Sequence, residues 1–553
     1  MELDIVHTPE SLQTRRAQMF PVLNDAQVAR IARVAAQVDF APGSLFFGEG
    51  DTETPFFVVL EGEIEVIAPH GTAEAVVTVH HRHEFTGEVT LLTGRRALVR
   101  GQARTQTRVL RLEPAQFRSL LQTDAELSEI IMRAFILRRL GLFLESVSDV
   151  VVLGSRHSAA TLRLQEFLTR NGYPHRYVDV EYEPDVQALL DGFQVHVTDV
   201  PVLICGQRVL RNPSNAEVAE CLGLNAPIVS DVPLDIVIVG AGPAGLAAAV
   251  YAASEGLDVL VVEATAPGGQ AGTSSKIENY LGFPTGISGQ ALAQRALIQA
   301  EKFGARLSIA RSAVALHCDR LPYRVELEGG ETVSARAIVI ATGAEYRRLD
   351  IPELERYEGV GVYYGASYIE AQRCTAEEII VVGGGNSAGQ AATFLSQTSQ
   401  HVHVLIRGPS LAASMSRYLI RRIEDTPNIT LHTNTRIIAL SGDSGLEQVT
   451  WETDGVRTAV PIRHVFSMTG AKPNTGWLQG CLRLDEKGFV ITGVDLGVDN
   501  SVKGTSRPRY QFETSLRNVF AVGDVRAGSV KRVASSVGEG SACVQVIHRA
   551  IAE

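Results

Sequence analysis

Two glycine-rich turns have the spacing that lets a backbone wrap around a pyrophosphate. The first is Gly240-Ala241-Gly242-Pro243-Ala244-Gly245, entered from the apolar run LDIVIV and left through an alanine-rich stretch. Gly240 allows the tight turn, Gly242 lets the backbone approach a pyrophosphate, and Gly245 permits close packing of helix on strand. The start of the following helix offers free N–H groups to phosphate. Glu263 ends the next apolar run, where a carboxylate accepts the ribose hydroxyls of an adenosine. The second turn is Gly383-Gly384-Gly385-Asn386-Ser387-Ala388, with Gly383, Gly385 and Ala388 in the three small positions. Its second strand ends on Ile406-Arg407, with no acid. A guanidinium in place of a carboxylate suits the 2′-phosphate of NADPH. Two dinucleotide sites in one chain imply hydride transfer from a nicotinamide to a flavin.

Other reactive groups are sparse. The six cysteines are Cys205, Cys221, Cys318, Cys374, Cys481 and Cys543, none close to another, and no C-x-x-C occurs. That spacing argues against a disulfide scaffold and against a cysteine-rich zinc or iron–sulfur site. The run His80-His81-Arg82-His83 invites a metal, but neighbouring side chains on a strand face opposite ways and no cysteine supports them. It reads as a solvated strand or loop, and no metal site is expected.

The elements that must position these groups follow from length and pattern. The chain has 553 residues, enough for three or four domains, and 45% of them are hydrophobic. A formal charge of −11 argues against a nucleic-acid binder with a broad basic face. No apolar run reaches the ~20 residues that span a bilayer. The start, MELDIVHTPESLQ, does not read as a signal peptide, so a cytoplasmic, membrane-free protein is expected. Residues 1–145 alternate as short strands between helices, a small barrel or sandwich. Residues 146–226 read as a compact α/β unit: strand VVLG, helix TLRLQEFLTRNG, strand HRYVDV, helix DVQALLDGF, strand VPVLIC and helix NAEVAECLGL. NAPIVSDVP at 225–233 reads as a linker. From 234 the pattern is strand, glycine turn, helix, strand, twice.

Residues 234–553 resemble the low-molecular-weight thioredoxin reductases. The resemblance rests on GAGPAG (240–245), GGQ (268–270), KIENYLGFP (276–284), ATGA (341–344), GGGNSA (383–388), TGAKPNT (469–475) and FAVGD (520–524), in order and at matching spacing. It implies an FAD domain in two pieces, 232–344 and 472–553, around an NADPH domain at 345–471. It also implies FAD contacts at Gly240, Gly242, Pro243, Ala244, Gly245, Glu263, Gly269, Gln270, Asn279, Ala341, Gly343, Gly523, Asp524, Arg532 and Val533. For NADPH it implies contacts at Gly383, Gly385, Asn386, Ser387, Ala388 and Arg407. A homodimer, and an NADPH domain that swings toward the flavin, are implied on the same ground.

The chain departs from that family where electrons leave. Gly365-Ala366-Ser367-Tyr368 stands in place of the family's C-x-x-C, and Cys374 is alone. One thiol cannot close an intramolecular disulfide. Cys374 reads as a buried small hydrophobe before the strand EIIVV. Residues 146–226 resemble a thioredoxin/glutaredoxin fold, with Pro201 at the position of its cis-proline. Ser155-Arg156-His157-Ser158 occupies the dithiol turn. Hydroxyls do not carry out thiol–disulfide exchange, so a docking or structural unit is expected.

Residues 1–145 resemble a cyclic-nucleotide-binding domain through EFTGEVTLLTGRRALVRGQA. In that resemblance Gly87 gives N–H groups to a cyclic phosphate, Glu88 accepts a ribose hydroxyl and Arg95 pairs with the phosphate. Arg96 replaces the family's Ser or Thr, so a cyclic nucleotide, another anion and a purely structural barrel all stay open.

The fold expected is therefore multidomain α/β: an N-terminal β-barrel with helices, a thioredoxin-like α/β unit, then two Rossmann-like dinucleotide-binding domains. The function expected is an NADPH-dependent FAD oxidoreductase with an unidentified acceptor: a quinone, oxygen, a ferredoxin- or flavodoxin-like protein, or an external disulfide. The alternatives are a redox or nucleotide sensor of low turnover, or thioredoxin-disulfide reduction by an atypical route. No catalytic residue is assigned, beyond Arg532 in Val530-Lys531-Arg532-Val533-Ala534 as a cation that tunes the flavin.

Overall fold

An apolar run of five or six residues becomes a doubly buried parallel strand when helices cover both faces of its sheet. Leu234–Val239 and Val259–Glu263 do so in the computed structural model, paired in parallel with the helix Pro243–Ser254 crossing between them. The structure describes residues 15–553 apart from 71–72, 89, 94, 145–149, 157, 182–198, 207, 226–227, 229–231, 275, 367, 444 and 498–507. The full sheet has seven strands, in the order Arg306–Ile309, Val259–Glu263, Leu234–Val239, Thr332–Ile340, Tyr323–Leu327 and Ala313–His317. Val519–Ala521 returns from the far end of the chain to pair with Thr332–Ile340.

Between those two visits the chain builds a second sheet. Its five parallel strands run Val362–Tyr363, His464–Ser467, Glu378–Val382, His401–Leu405 and Ile429–His432. A short antiparallel ladder, Ala344–Tyr346 with Ala471–Pro473, joins the two sheets. The last helix, Val533–Ala552, lies on Pro243–Ser254 so closely that a Cβ on Gly540 would fall 2.1 Å from the Ala244 carbonyl.

The N-terminal strands form two antiparallel sheets. One holds Ala36–Phe40, Thr107–Leu112 and Phe56–Glu61, and the other Leu45–Phe47, Arg100–Ala103, Ile64–His70 and Ala73–His80. The helices Pro114–Thr123 and Ala125–Leu144 follow, and Phe56, Phe85, Phe117 and Phe135 pack together in the core beneath them.

Next comes a four-stranded sheet in the order Arg208–Arg211, Val202–Cys205, Val150–Gly154 and Arg176–Asp179, with helices Ala159–Arg170 and Asn215–Cys221. The strand Arg208–Arg211 has no counterpart in the sequence reading. Its alternation is short and its face only half buried. The expected helix DVQALLDGF lies outside the described residues. The Val200–Pro201 peptide is cis.

One helix, Gly289–Lys302, touches all three regions. Its Gln290 and Gln294 donate to the Thr169 and Arg170 carbonyls at the end of Ala159–Arg170. Its Ile298 joins the N-terminal aromatic core, and its Leu297 and Ala300 share a core with the helix Pro243–Ser254.

The cysteine reading needs one correction. Cys318 and Cys481, 163 residues apart, form a disulfide. It ties the strand Ala313–His317 to the segment after Gly476–Leu478. The intervening sheet is an insertion, so distance along the chain says nothing of distance across it. Among the described residues, no helix is long and apolar enough to cross a membrane, and no group of three or more His, Cys, Asp or Glu side chains is gathered as a metal would need.

Candidate active site

The first glycine turn sits where strand gives way to helix. Gly240 has φ +107°, and a Cβ there would lie 2.3 Å from the Ala341 carbonyl. A Cβ on Gly245 would lie 1.8 Å from the Gly240 carbonyl, so only glycine lets the helix come this close. Gly242 differs from both: nothing stands within 4 Å of its would-be Cβ, and it caps the helix that begins at Pro243 and Ala244. The turn therefore packs tightly on its protein side and stays open at Gly242. The Glu263 carboxylate accepts from the Ala241 N–H at 2.7 Å and the Thr265 N–H at 2.9 Å, which fixes its position beside the turn.

The other residues expected at FAD gather from distant parts of the chain. Gly269, at φ +52°, would bring a Cβ to 3.1 Å from Gly242 Cα. Its carbonyl accepts from Arg170 at 3.1 Å, a contact that no motif announces. Gln270 and Asn279 are exposed. Ala341 is buried and Gly343 has φ +63°. Thr342 and Asn474 exchange two hydrogen bonds, at 2.8 and 3.0 Å, which lock this crossover to the returning segment.

Gly523 and Asp524 open a short 3-10 turn. The Gly523 N–H donates to Glu539 at 2.7 Å, and Arg526 clamps the same carboxylate. Asp524 Oδ1 is buried and has no hydrogen-bond partner in the protein. Burial pushes the Asp524 carboxyl above its usual range, against the pull of Lys531. An orphaned buried acceptor beside an open glycine turn is what a hydroxyl-bearing chain between two ring systems would satisfy. The residues present thus fit FAD. Arg532 is exposed and caps the final helix, whose first residue is Val533. Lys531, its neighbour, reaches the Asp524 carbonyl at 3.2 Å.

The second turn repeats the packing rule. A Cβ on Gly383, φ +142°, would meet the Met468 carbonyl at 2.5 Å, Ala388 is fully buried, and Gly385 faces open space. Asn386 accepts from the Ser416 N–H at 2.7 Å, and Ser414 donates to the Gly384 carbonyl at 2.8 Å. These bonds fold residues 414–416 over the turn, and the next residue, Arg417, is exposed, as is Arg407. Neither arginine is paired with a carboxylate among the described residues, so both are free to meet a phosphate. Sequence reasoning missed Arg417. The helix-starting Ser416 just before it was the available signal.

The two turns approach one another through Tyr346. Burial raises its phenol above the usual range; a hydrogen bond to Ser387 opposes that shift and the nearby Asp524 charge adds to it. Arg422, on the helix Arg417–Asp425, bonds Glu278 at 2.6 Å in the KIENYLGFP loop. This partly exposed ion pair is one contact between the second sheet and the first.

The places where cysteines were missed hold no thiol chemistry. Ala366 bridges Ser274, directly after the Gly269–Gly272 turn of helix. Cys374 is fully buried, its thiol donates to the Glu370 and Ala371 carbonyls, and burial raises its pKa. Ser155 bonds Glu181, and Ser158 caps the helix Ala159–Arg170. His157 and Ser367 lie outside the described residues.

In the N-terminal domain Gly87 and Glu88 line a cavity, together with His80 of the histidine run. Arg95 does not. Its guanidinium is buried 3.7 Å from Glu301, on the helix Gly289–Lys302. Arg96 donates to the Cys221 carbonyl at 2.8 Å. The cassette arginines are built into domain contacts.

Comparison with known proteins agrees with this geometry. Residues 234–540 match the family model for pyridine nucleotide-disulphide oxidoreductases, and residues 37–124 match the model for a cyclic nucleotide-binding domain. NADPH-dependent thioredoxin reductase 3 of Arabidopsis thaliana is 31% identical over 355 residues, 61% of this chain and 63% of that one. Thioredoxin reductase of Mycolicibacterium smegmatis is 34% identical over 322 residues, 58% of this chain and 97% of that protein. Among solved structures, thioredoxin reductase of Lactococcus lactis in its FR conformation superposes with a TM-score of 0.52 at 27% identity, covering 58% of this chain and 99% of that one.

Proposed function

We propose, from the premise that the chain belongs to the pyridine nucleotide-disulphide oxidoreductase family, that it passes electrons from NADPH to an acceptor arriving from outside, with no C-x-x-C of its own. The chain is an oxidoreductase that uses FAD and NADPH, and it carries a cyclic nucleotide-binding domain. The observation that carries the reading is the convergence of both open glycine turns on Tyr346 and Asp524.

FAD, when bound, supplies the two-electron relay between nicotinamide and acceptor. Around it, Gly240, Gly242 and the helix start at Pro243 would take its pyrophosphate, and Glu263 its adenosine ribose. Asp524 Oδ1 would accept from a hydroxyl of the linking chain. Gly383, Gly385 and the helix start at Asn386 would hold the NADPH pyrophosphate, with Arg407 and Arg417 on the 2′-phosphate. Residues 232–344 and 472–553 would form the FAD domain and 345–471 the NADPH domain. The unit at 146–226 would act as a thioredoxin-like docking module. Its helix Ala159–Arg170 supports this, because it reaches the Gly269 turn through Arg170 and the core of the second sheet through Leu162.

Stopped-flow mixing with NADPH tests the reading. Single-turnover bleaching of flavin absorbance is expected, followed by recovery with a quinone, oxygen, a ferredoxin- or flavodoxin-like protein, or an external disulfide. A flavin that NADPH does not bleach would sink it. A second reading, a sensor of low turnover, gains support from the helix Gly289–Lys302, which joins the N-terminal domain to the glycine-turn helix. Coupled sites change each other's affinity equally. NADPH titrations with and without cyclic AMP, one of the cyclic nucleotides such a domain is named for, would give identical curves if no coupling exists.

A further inference from the structure

We propose that the N-terminal cavity binds a small amphipathic acid, an apolar body carrying one carboxylate, in place of a cyclic nucleotide. The cavity encloses about 190 Å³. Much of its wall is apolar, with Phe20, Phe47, Val66, Val77, Val99 and Leu142 among the side chains that line it. Two arginines line it as well: Arg16, which is exposed, and Arg138, which is buried and fixed.

Arg138 is held from three sides. Its Nε donates to the Met19 carbonyl at 2.9 Å, and its Nη1 donates to the carbonyls of Phe85 at 3.0 Å and Gly87 at 2.7 Å. The rings of Phe20 and Phe85 stand 5.0 and 4.8 Å from the guanidinium carbon. Nη2 is buried without a partner, and no carboxylate among the described residues forms an ion pair with this side chain. A buried guanidinium without an ion-pair partner is costly, and an anion beside it relieves that cost. Burial lowers the Arg138 pKa to about 9, with Glu84 and Glu88 too weakly placed to restore it. His80 lines the same cavity and is held neutral by burial and by the Arg138 charge. A neutral imidazole adds a hydrogen bond without adding charge.

The cyclic-nucleotide reading loses its phosphate partner here. Arg95 does not line the cavity, and recruiting it would strand Glu301, whose carboxylate is buried in the domain contact. Glu88 lines the cavity 3.5 Å from Arg139, but both of its oxygens are buried without a hydrogen-bond partner, so it still offers an acceptor to a ligand hydroxyl. What stays on offer is one buried cation, Arg138, in a largely apolar wall that also carries exposed Arg16 and the Glu88 carboxylate, and that cation matches one carboxylate on an apolar body.

The test uses the full holoprotein and reads binding, so it is independent of whether NADPH reduces the flavin. Calorimetric and thermal-shift titrations would use octanoate, phenylacetate, cyclic AMP, cyclic GMP and inorganic phosphate. One of the two carboxylates is expected to bind saturably at one site per chain. Arg138→Gln is expected to weaken it at least about tenfold, the scale of a lost charge-assisted hydrogen bond. Because Arg138 also holds three carbonyls, Val77→Trp serves as a second variant that fills the cavity from its wall and should abolish binding with the flavin spectrum unchanged. The proposal is overturned if neither carboxylate binds, if binding survives Val77→Trp, or if either cyclic nucleotide binds as tightly as the acid or displaces it.

Discussion

The reductase turns and the N-terminal cassette are both glycine-and-charge motifs that sequence assigns to a phosphate, yet they fold to opposite ends. Each reductase turn spends its crowded glycines on protein packing and leaves one glycine facing open space: Gly242 in the first, Gly385 in the second. The cassette keeps Gly87 and Glu88 on its cavity but turns Arg95 and Arg96 into domain contacts. Residue type at a spacing states which group is available. Whether it faces a ligand depends on what else competes for it, and a buried Glu301 competes strongly for an arginine.

The largest effect expected separates the two kinds of glycine. Gly245→Val would drive a side chain into the Gly240 carbonyl, so the flavin-binding unit should fail to assemble and the protein should purify colourless, or insoluble. Gly242→Ala meets nothing within 4 Å and has φ −69°, which any residue adopts. Its unfolding midpoint without flavin should match the parent's within about 0.5 kcal/mol, while FAD affinity should fall at least about tenfold, because the new methyl occupies the side reserved for the pyrophosphate. Equal loss of stability in both variants would break the distinction between packing face and ligand face.

Next in size is the cassette arginine. Removing one partner of a buried pair costs about 3–5 kcal/mol, and Arg95→Gln should sit near the lower end because Glu301 can take up a proton. Burial already raises Glu301 to about 7, against the pull of Arg95 and Arg139. An acid raised in this way binds more protons folded than unfolded. Its contribution is therefore complete below the usual value of 4.5 and is lost as pH rises toward 7. Without Arg95 the Glu301 carboxyl should climb further, so stability should keep falling beyond pH 7. Glu301→Gln should flatten the slope between 4.5 and 7. Urea unfolding at pH 5, 7 and 8 reads all three proteins. A parent and an Arg95→Gln variant with the same pH profile would return Arg95 to the cavity.

How far the sequence could be read follows from the range of each signal. The glycine turns were legible because strand, turn and helix are contiguous and each glycine answers to a neighbour a few residues away. Cys374 was legible as core from the apolar strand beside it. Arg138 was not, because within LSEIIMRAFILRRLGLFL a pair of arginines reads as a helix surface. Only the fold brings Phe20 and Phe85 around one of them. The Cys318–Cys481 pair was hidden by a whole inserted sheet. Glu166 was hidden too: it shares a hydrogen bond with Glu370 across two domains, and burial and that bond raise it to about 9. Motifs report local geometry; contacts between domains leave no spacing to detect.

A smaller effect tests the open side of the second turn. Arg407→Gln should raise KM for NADPH about 10–100-fold, the scale of a charge-assisted contact to phosphate, and leave KM for NADH unchanged. The unfolding midpoint should not move, since Arg407 is exposed and forms no ion pair among the described residues. Arg417→Gln should act in the same direction. Loss of NADH turnover in either variant would mean that the arginine supports the turn and does not read the 2′-phosphate.

The smallest effect concerns Arg532, which separates an open position from a functional one. It caps the final helix beside the flavin site, so its charge has the right sign to favour an anionic reduced ring. It is also exposed and has no side-chain partner among the described residues, so water screens it. Lys531 is better placed, because it is anchored to the Asp524 carbonyl at 3.2 Å and lies 4.6 Å from the Phe489 ring. Arg532→Gln should lower the flavin midpoint potential by no more than about 20 mV, the scale of an exposed charge pair in a two-electron couple. Lys531→Gln should lower it more. A redox titration in which Arg532→Gln shifts the potential further than Lys531→Gln would show that exposure in the resting protein understates that arginine.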